Sequence, residues 1–139
     1  MTTTVDMLDH IDAVRALLAP AGLDVHFVDV PQKPAYPYVL LWCPPGNVLA
    51  LTLDGIRSAL DEDLGVTVAD LTPEGVLVNV RNVRALLDDT QPAVAGRVCE
   101  LHLTPRSQPV TVDRTVELEQ SGQHPAYAVD LYRLTSTPA

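Results

Sequence analysis

Long hydrophobic runs are missing from this sequence. The longest purely apolar stretch runs only from Tyr38 to Cys43, far short of the roughly 20 residues a membrane-spanning helix needs. Nor does a basic segment precede an apolar one at Met1–Asp6, so no secretory leader is expected and the chain should stay where it is made. Aromatic residues are only 4% of the total, and a core therefore has to be assembled from Val, Leu and Ala. Positive charge is scarce: 9 Lys and Arg stand against 18 Asp and Glu, a formal net charge of −9. Lys33 is the single lysine. Because duplex-DNA affinity comes mostly from cations that replace phosphate counterions, this balance excludes a duplex-binding module. Cysteine is limited to Cys43 and Cys99, too few for a disulfide framework or a cysteine-zinc site. Each lies among apolar neighbours and reads as a reduced, buried strand thiol.

The residue types that carry chemistry are present but not grouped. His10, His26, His102 and His124 show no metal-ligand spacing with another His, Cys or acid, and read as surface or rim histidines. Ser58, Ser107 and Ser121 lack a Gly-x-Ser-x-Gly elbow; Cys43 with His26 would need a fortunate strand register to act as a nucleophile pair. The seven glycines are isolated and Pro44–Asn47 has no Lys or Ser/Thr, so there is no phosphate-cradling loop. Asp61-Glu62-Asp63 lacks the spacing and the distant Glu of a calcium loop and reads as a solvated acidic loop. No catalytic residue, cofactor or metal is assigned.

The chain of 139 residues is 47% hydrophobic, enough for one domain with a real core. A first helix is expected after an N-cap at Thr4, with Val5, Leu8, Ile11, Val14, Leu17 and Leu18 as its stripe and Pro20 and Gly22 ending it. Leu23–Val30 and Tyr36–Cys43 read as an antiparallel hairpin across the Pro31–Ala35 turn. The second strand, apolar on both faces, belongs inside a sheet. Val48–Leu53 is a short edge strand, Ile56–Asp63 a helical turn or an exposed loop, and Leu64–Leu71 a further strand with Val66, Val68 and Leu71 inward. Thr72-Pro73-Glu74 opens a second helix whose inward stripe is Val76, Val80, Val83 and Leu87; Arg81 and Arg84 lie on its other side. Its terminal Asp88 and Asp89 oppose the helix dipole. Arg97–Leu103 alternates with Val98, Leu101 and Leu103 inward. Val110–Glu119 keeps period two, Tyr127–Leu134 is the last strand, and Thr135–Ala139 frays.

The fold class is α+β: one mixed or antiparallel sheet, two helices packed on one face, and an extended β arm or hairpin. The long polar connections Pro44–Gly65 and Pro105–Pro125 are expected to carry contacts to other proteins. Their charged residues Asp61, Glu62, Asp63, Arg106, Asp113, Arg114, Glu117 and Glu119 form the candidate assembly interface.

One resemblance spans nearly the whole chain. A helix ending Leu17-Leu18-Ala-Pro-Ala-Gly-Leu precedes Tyr36-Pro-Tyr-Val-Leu-Leu. Val66-Thr-Val-Ala-Asp-Leu-Thr-Pro-Glu-Gly then runs into Val83-Arg-Ala-Leu-Leu. Last come Gln108-Pro-Val-Thr-Val-Asp-Arg and His124-Pro-Ala-Tyr-Ala-Val-Asp-Leu-Tyr-Arg-Leu. This order is similar to the tail terminator proteins of siphophages infecting actinobacteria; the acidic Asp54–Asp63 stretch departs from the family pattern. The resemblance implies a structural, non-enzymatic virion protein. It would form a homo-oligomeric ring, commonly a hexamer, that caps the tail tube at the neck, stops its polymerisation and meets the head connector. Its partners would be itself, the tube protein and the connector, with DNA passing through unbound and no membrane. Another neck or tail-completion protein is the neighbouring reading; a small cytosolic binding domain or enzyme is the distant one.

Overall fold

The computed structural model describes residues 5–50, 53–118 and 122–139. In chain order the elements are α1 (Met7–Leu18), a 3-10 turn (Ala19–Ala21), β1 (Asp24–Phe27), β2 (Tyr38–Trp42), β3 (Val48–Leu49), β4 (Ala59–Asp70), α2 (Pro73–Leu87), β5 (Arg97–Leu103), β6 (Gln108–Val112) and β7 (Ala126–Pro138). They make a seven-stranded mixed sheet with the main order β1-β2-β4-β7-β5. Its spine is the antiparallel pair β4 and β7, matched from Leu60 opposite Ser136 to Asp70 opposite Ala126. Each spine strand carries two short strands on its outer side: β2 and β3 on β4, β5 and β6 on β7. No helix among the described residues is long and apolar enough to cross a membrane.

Both helices start where a side chain can replace a missing backbone partner. Asp6, not Thr4, caps α1: its carboxylate accepts the Leu8 N–H at 2.7 Å. Thr4 lies outside the described residues. The Thr72 hydroxyl accepts the Gly75 N–H at 3.0 Å, and Pro73 fills the first helical position, where no N–H is needed. Ile11, Val14 and Leu18 of α1 and Val76, Val80, Val83 and Leu87 of α2 turn into one core. There they meet Val39, Leu41, Leu64, Val66, Val68, Leu101, Tyr132 and Leu134 from one face of the sheet. Each buried Leu or Val contributes about 2 kcal/mol by leaving water.

Several sequence expectations are corrected. β1 and β2 are parallel, with Asp24 beside Tyr38 and Phe27 beside Leu41, rather than a hairpin. Pro31, Pro34 and Pro37 have no N–H to give a ladder. After Val28, which adopts a left-handed φ of 66°, the chain travels back along β1 before β2 begins. Ile56–Asp63 is neither a helical turn nor a loop from Ala59 onward, because Asp61, Glu62 and Asp63 are the first half of β4. Leu71 is 44% exposed, just past the strand. In β5 Leu101 and Leu103 face inward as expected, together with Cys99, whereas Val98 faces out and is 49% exposed. Among the described residues of the arm Val110–Glu119, only the part through Val112 is strand, paired within its own sheet to β7. Thr135–Pro138 does not fray: it pairs with β5, and the Ala139 N–H bonds the Gly96 carbonyl at 2.9 Å. Strand β3 stops at Leu49, and residues 51 and 52 of the longer expected strand lie outside the described residues.

Candidate functional site: the helix-free face of the sheet

Successive strand residues point to opposite faces. The positions of β4 and β7 that do not face the helices are therefore Asp61, Asp63, Gly65, Thr67 and Ala69, with Tyr127, Val129, Leu131, Arg133 and Thr135 opposite them. This face has two unlike ends. At one end Arg133 grips Asp61 through two nitrogens, at 3.0 and 2.7 Å, and Arg106 reaches Asp63 at 2.8 Å. The hydrogen bond from Arg133 holds the Asp61 carboxyl below its ordinary value, against a smaller opposing effect of burial. In the middle the indole of Trp42 lies over Gly65 and donates to Thr67 Oγ1 at 3.1 Å. Any β-carbon at position 65 would collide with that ring, so glycine here serves close packing.

At the other end the returning Val30–Tyr38 segment on one side, and Asp113, Val116 and Pro125–Tyr127 on the other, wall a groove of about 330 Å³. Tyr36, Tyr38, Tyr127, Pro31, Pro34 and Asp113 line it. The rings of Tyr36 and Tyr38 stand 5.4 Å apart at 49°, and His26 meets Tyr38 edge-on at 5.7 Å. Asp113 is fixed by its backbone: its N–H donates to the Pro125 carbonyl at 2.8 Å. Its Oδ1 accepts from the Thr115 N–H at 3.1 Å and hydroxyl at 2.6 Å. Burial raises the pKa of both Tyr36 and Tyr38, and the charge of Asp113 raises each further.

The candidate interface residues thus divide. Asp61, Asp63 and Arg106 come together at the charged end, and Asp113 stands in the groove. Arg114 and Glu117 are exposed on the segment beyond it. Glu62 points to the opposite face, where after the larger effect of burial its charge helps raise the Cys43 thiol. Glu119 lies outside the described residues. The sequence reading placed Arg133 in the last strand but missed its role, because its partner Asp61 was assigned to a helical turn or loop and not to the neighbouring strand. It missed Tyr36 and Tyr38 because only the β2–β4–β7 ladder brings them beside Tyr127.

Two buried polar groups were also unexpected. His10, read as a surface histidine, is 1% exposed. Its Nδ1 meets the Asp6 carbonyl at 2.6 Å and its Nε2 meets Ser136 Oγ at 2.8 Å, tying α1 to β7. Asp130, 6% exposed, accepts two hydrogen bonds from Arg84, both at 2.7 Å, and one from Ser107 at 2.7 Å. Burial pushes its carboxyl up, but those bonds and the Arg84 charge outweigh it, and the net pKa lies below the ordinary value. Arg84 is therefore not a free surface residue.

The exposed side chains of Asp88, Asp89 and His102 bring ligand-type atoms within 4.8 Å of one another. Hydrogen bonds to Asp89 and then Glu100 raise the His102 pKa. Cys43 and His26 do not make a pair: His26 sits beside Leu40 in the ladder.

Geometry and topology together define an α+β domain whose mixed sheet is covered by helices on one face only. No protein-family model matches the chain, and no curated protein sequence matches it. Among solved structures it is similar to a chain in the virion of a native gene transfer agent particle, at 16% identity and a TM-score of 0.54, over 91% of this chain and 90% of that one. A second solved chain aligns over 88% of this chain and 94% of its own, at 15% identity and a TM-score of 0.48. The first likeness is one of fold along nearly the full length.

Proposed function

We propose that this chain is a structural component of a phage-type virion and, within it, the tail terminator: a ring subunit that caps the tail tube and joins it to the head connector. The observation that carries the reading is the fold shared end to end with a virion chain of the gene transfer agent particle. The order of sequence segments, similar to tail terminators, adds the finer role.

The geometry supports assembly in a specific way. A closed ring of identical subunits needs two different surfaces on each copy, and the two sides of this sheet are unequal. The β5 side is shielded: the Leu101 N–H bonds the Thr90 carbonyl at 2.9 Å, the Leu103 N–H bonds Asp88 Oδ1 at 2.8 Å, and Pro109 interrupts β6. Among the described residues no strand lies beside the outer edge of β1, which leaves backbone groups open to another chain. The net charge of −9 suits a ring through which DNA slides without sticking.

The test uses purified chain and the tube protein of the same virion. Native mass spectrometry should show a ring, expected to be six subunits. Added to polymerising tube protein, the chain should shorten and narrow the tube-length distribution seen by electron microscopy. A different neck or tail-completion subunit would bind tubes or connector and leave tube length unchanged. No interaction with either would overturn the virion reading.

A further inference from the structure

We propose that the groove between the Val30–Tyr38 segment and the residues Asp113, Val116 and Pro125–Tyr127 is a receptor for a single arginine or lysine side chain presented by another protein. Three tyrosines border it, and the rings of Tyr36 and Tyr38 stand 5.4 Å apart at 49°, so a cation entering the space lies beside electron-rich aromatic rings. Among the described residues lining the groove, Asp113 is the only charged one. Its Oδ1 is held by the Thr115 N–H and hydroxyl, which fixes the carboxylate at the groove. The remaining walls are Val30, Pro31, Pro34, Val116 and Pro125, which suit the methylene stem that Arg and Lys bury behind a charged head.

The volume of about 330 Å³ accommodates one long side chain and not a folded element. Charge chooses among ligands of that size. A phosphate or carboxylate would be repelled by Asp113, and a proline-rich segment, which docks on aromatic surfaces alone, gives the carboxylate nothing to do. A guanidinium or ammonium uses both halves of the lining. The net charge of −9 also draws a basic partner towards the chain.

The experiment titrates the isolated, isotope-labelled chain with three blocked tripeptides of the form Gly-X-Gly, in which X is arginine, lysine or uncharged norleucine. Amide shifts are followed by NMR. The arginine and lysine peptides should move the signals of Tyr36, Tyr38, Asp113 and Tyr127 saturably, with a dissociation constant on the order of 1 mM for a single anchor. Norleucine should bind at least tenfold more weakly. Asp113→Asn keeps an oxygen for Thr115 and removes the charge, so it should lower arginine affinity about tenfold at an unchanged melting temperature. Should that variant fail to fold, salt gives the second reading: raising NaCl should weaken the arginine peptide and not norleucine. Equal binding of norleucine, salt-independent arginine binding, or no shifts at these four residues would overturn the proposal. Because the isolated chain is used, the result is independent of whether the chain caps tubes.

Discussion

Under the helices, β4 and β7 present Leu64, Val66, Tyr132 and Leu134, none more than 1% exposed. On the reverse of the same two strands stand Asp61, Asp63, Thr67, Arg133 and Thr135, half-buried or open. One ladder holds both sets, so the backbone cannot account for the contrast; covering does. Among the described residues the helix side buries one carboxylate, Asp130, and surrounds it with Arg84 and Ser107. The other side keeps its charges in exposed pairs, which contribute little to stability, and roofs its far end with two loops instead of a helix. A residue free to vary without unfolding the chain is free to be chosen for a partner, and such residues collect on the second side.

The contrast can be broken most violently from the helix side. Leu87→Asp buries a carboxylate with no partner and should abolish the cooperative thermal transition. Leu77→Asp, on the same helix but at a position 58% exposed, should melt within a few degrees of the parent. Were both variants equally stable, the covered face would be assigned wrongly.

Next in size is Arg84→Ala, which strips the principal partner from a buried carboxylate and should cost about 3 kcal/mol by urea denaturation. The pH dependence has a definite sign. Asp130 is held below its ordinary value, so its contribution is complete above roughly pH 5, where the unfolded carboxyl is almost fully ionised, and fades as pH falls through the unfolded and then the lower folded value. Asp130→Asn should therefore lose less stability on acidification than the parent does.

A smaller effect is expected on the reverse face, where Gly65→Ala should cost about 1–2 kcal/mol by forcing the indole off the sheet. Trp42 is the only tryptophan, and its emission should shift to the red as the ring enters water. An unshifted spectrum would mean that the ring does not rest on position 65. The smallest change is Arg133→Gln, which removes a fully surface-facing ion pair and should move the melting temperature by no more than ~1–2 °C. A large drop would mean that this face is structural after all.

How legible these elements were follows from how locally each is encoded. α2 could be read almost to its ends because its cap, its Pro73 and its stripe all lie within its own sixteen residues. The β1–β2 pairing was misread because direction is decided by where a proline-rich segment can travel in space, and no local pattern states that. Asp61–Asp63 looked like a loop because three acids in a row hide the alternation. Only the partners Arg133 and Arg106, more than forty residues away, make a strand of them. The groove was invisible for the same reason, since Tyr36 and Tyr38 meet Asp113 and Tyr127 only after the sheet has closed.

The spine sets an order of events in synthesis. Strand β4 finds its partner in a segment that begins some fifty-six residues later, at Ala126, and until that segment exists Leu64 and Val66 have no lid on their open side. Everything upstream of β7 must wait as a chain with an unfilled slot in the middle of its sheet, and loop closure over such a distance is slow compared with helix formation. Such a chain exposes apolar strand edges to its neighbours on the same polysome. The closed sheet, and with it both of its faces, does not exist until β7 lies between β4 and β5.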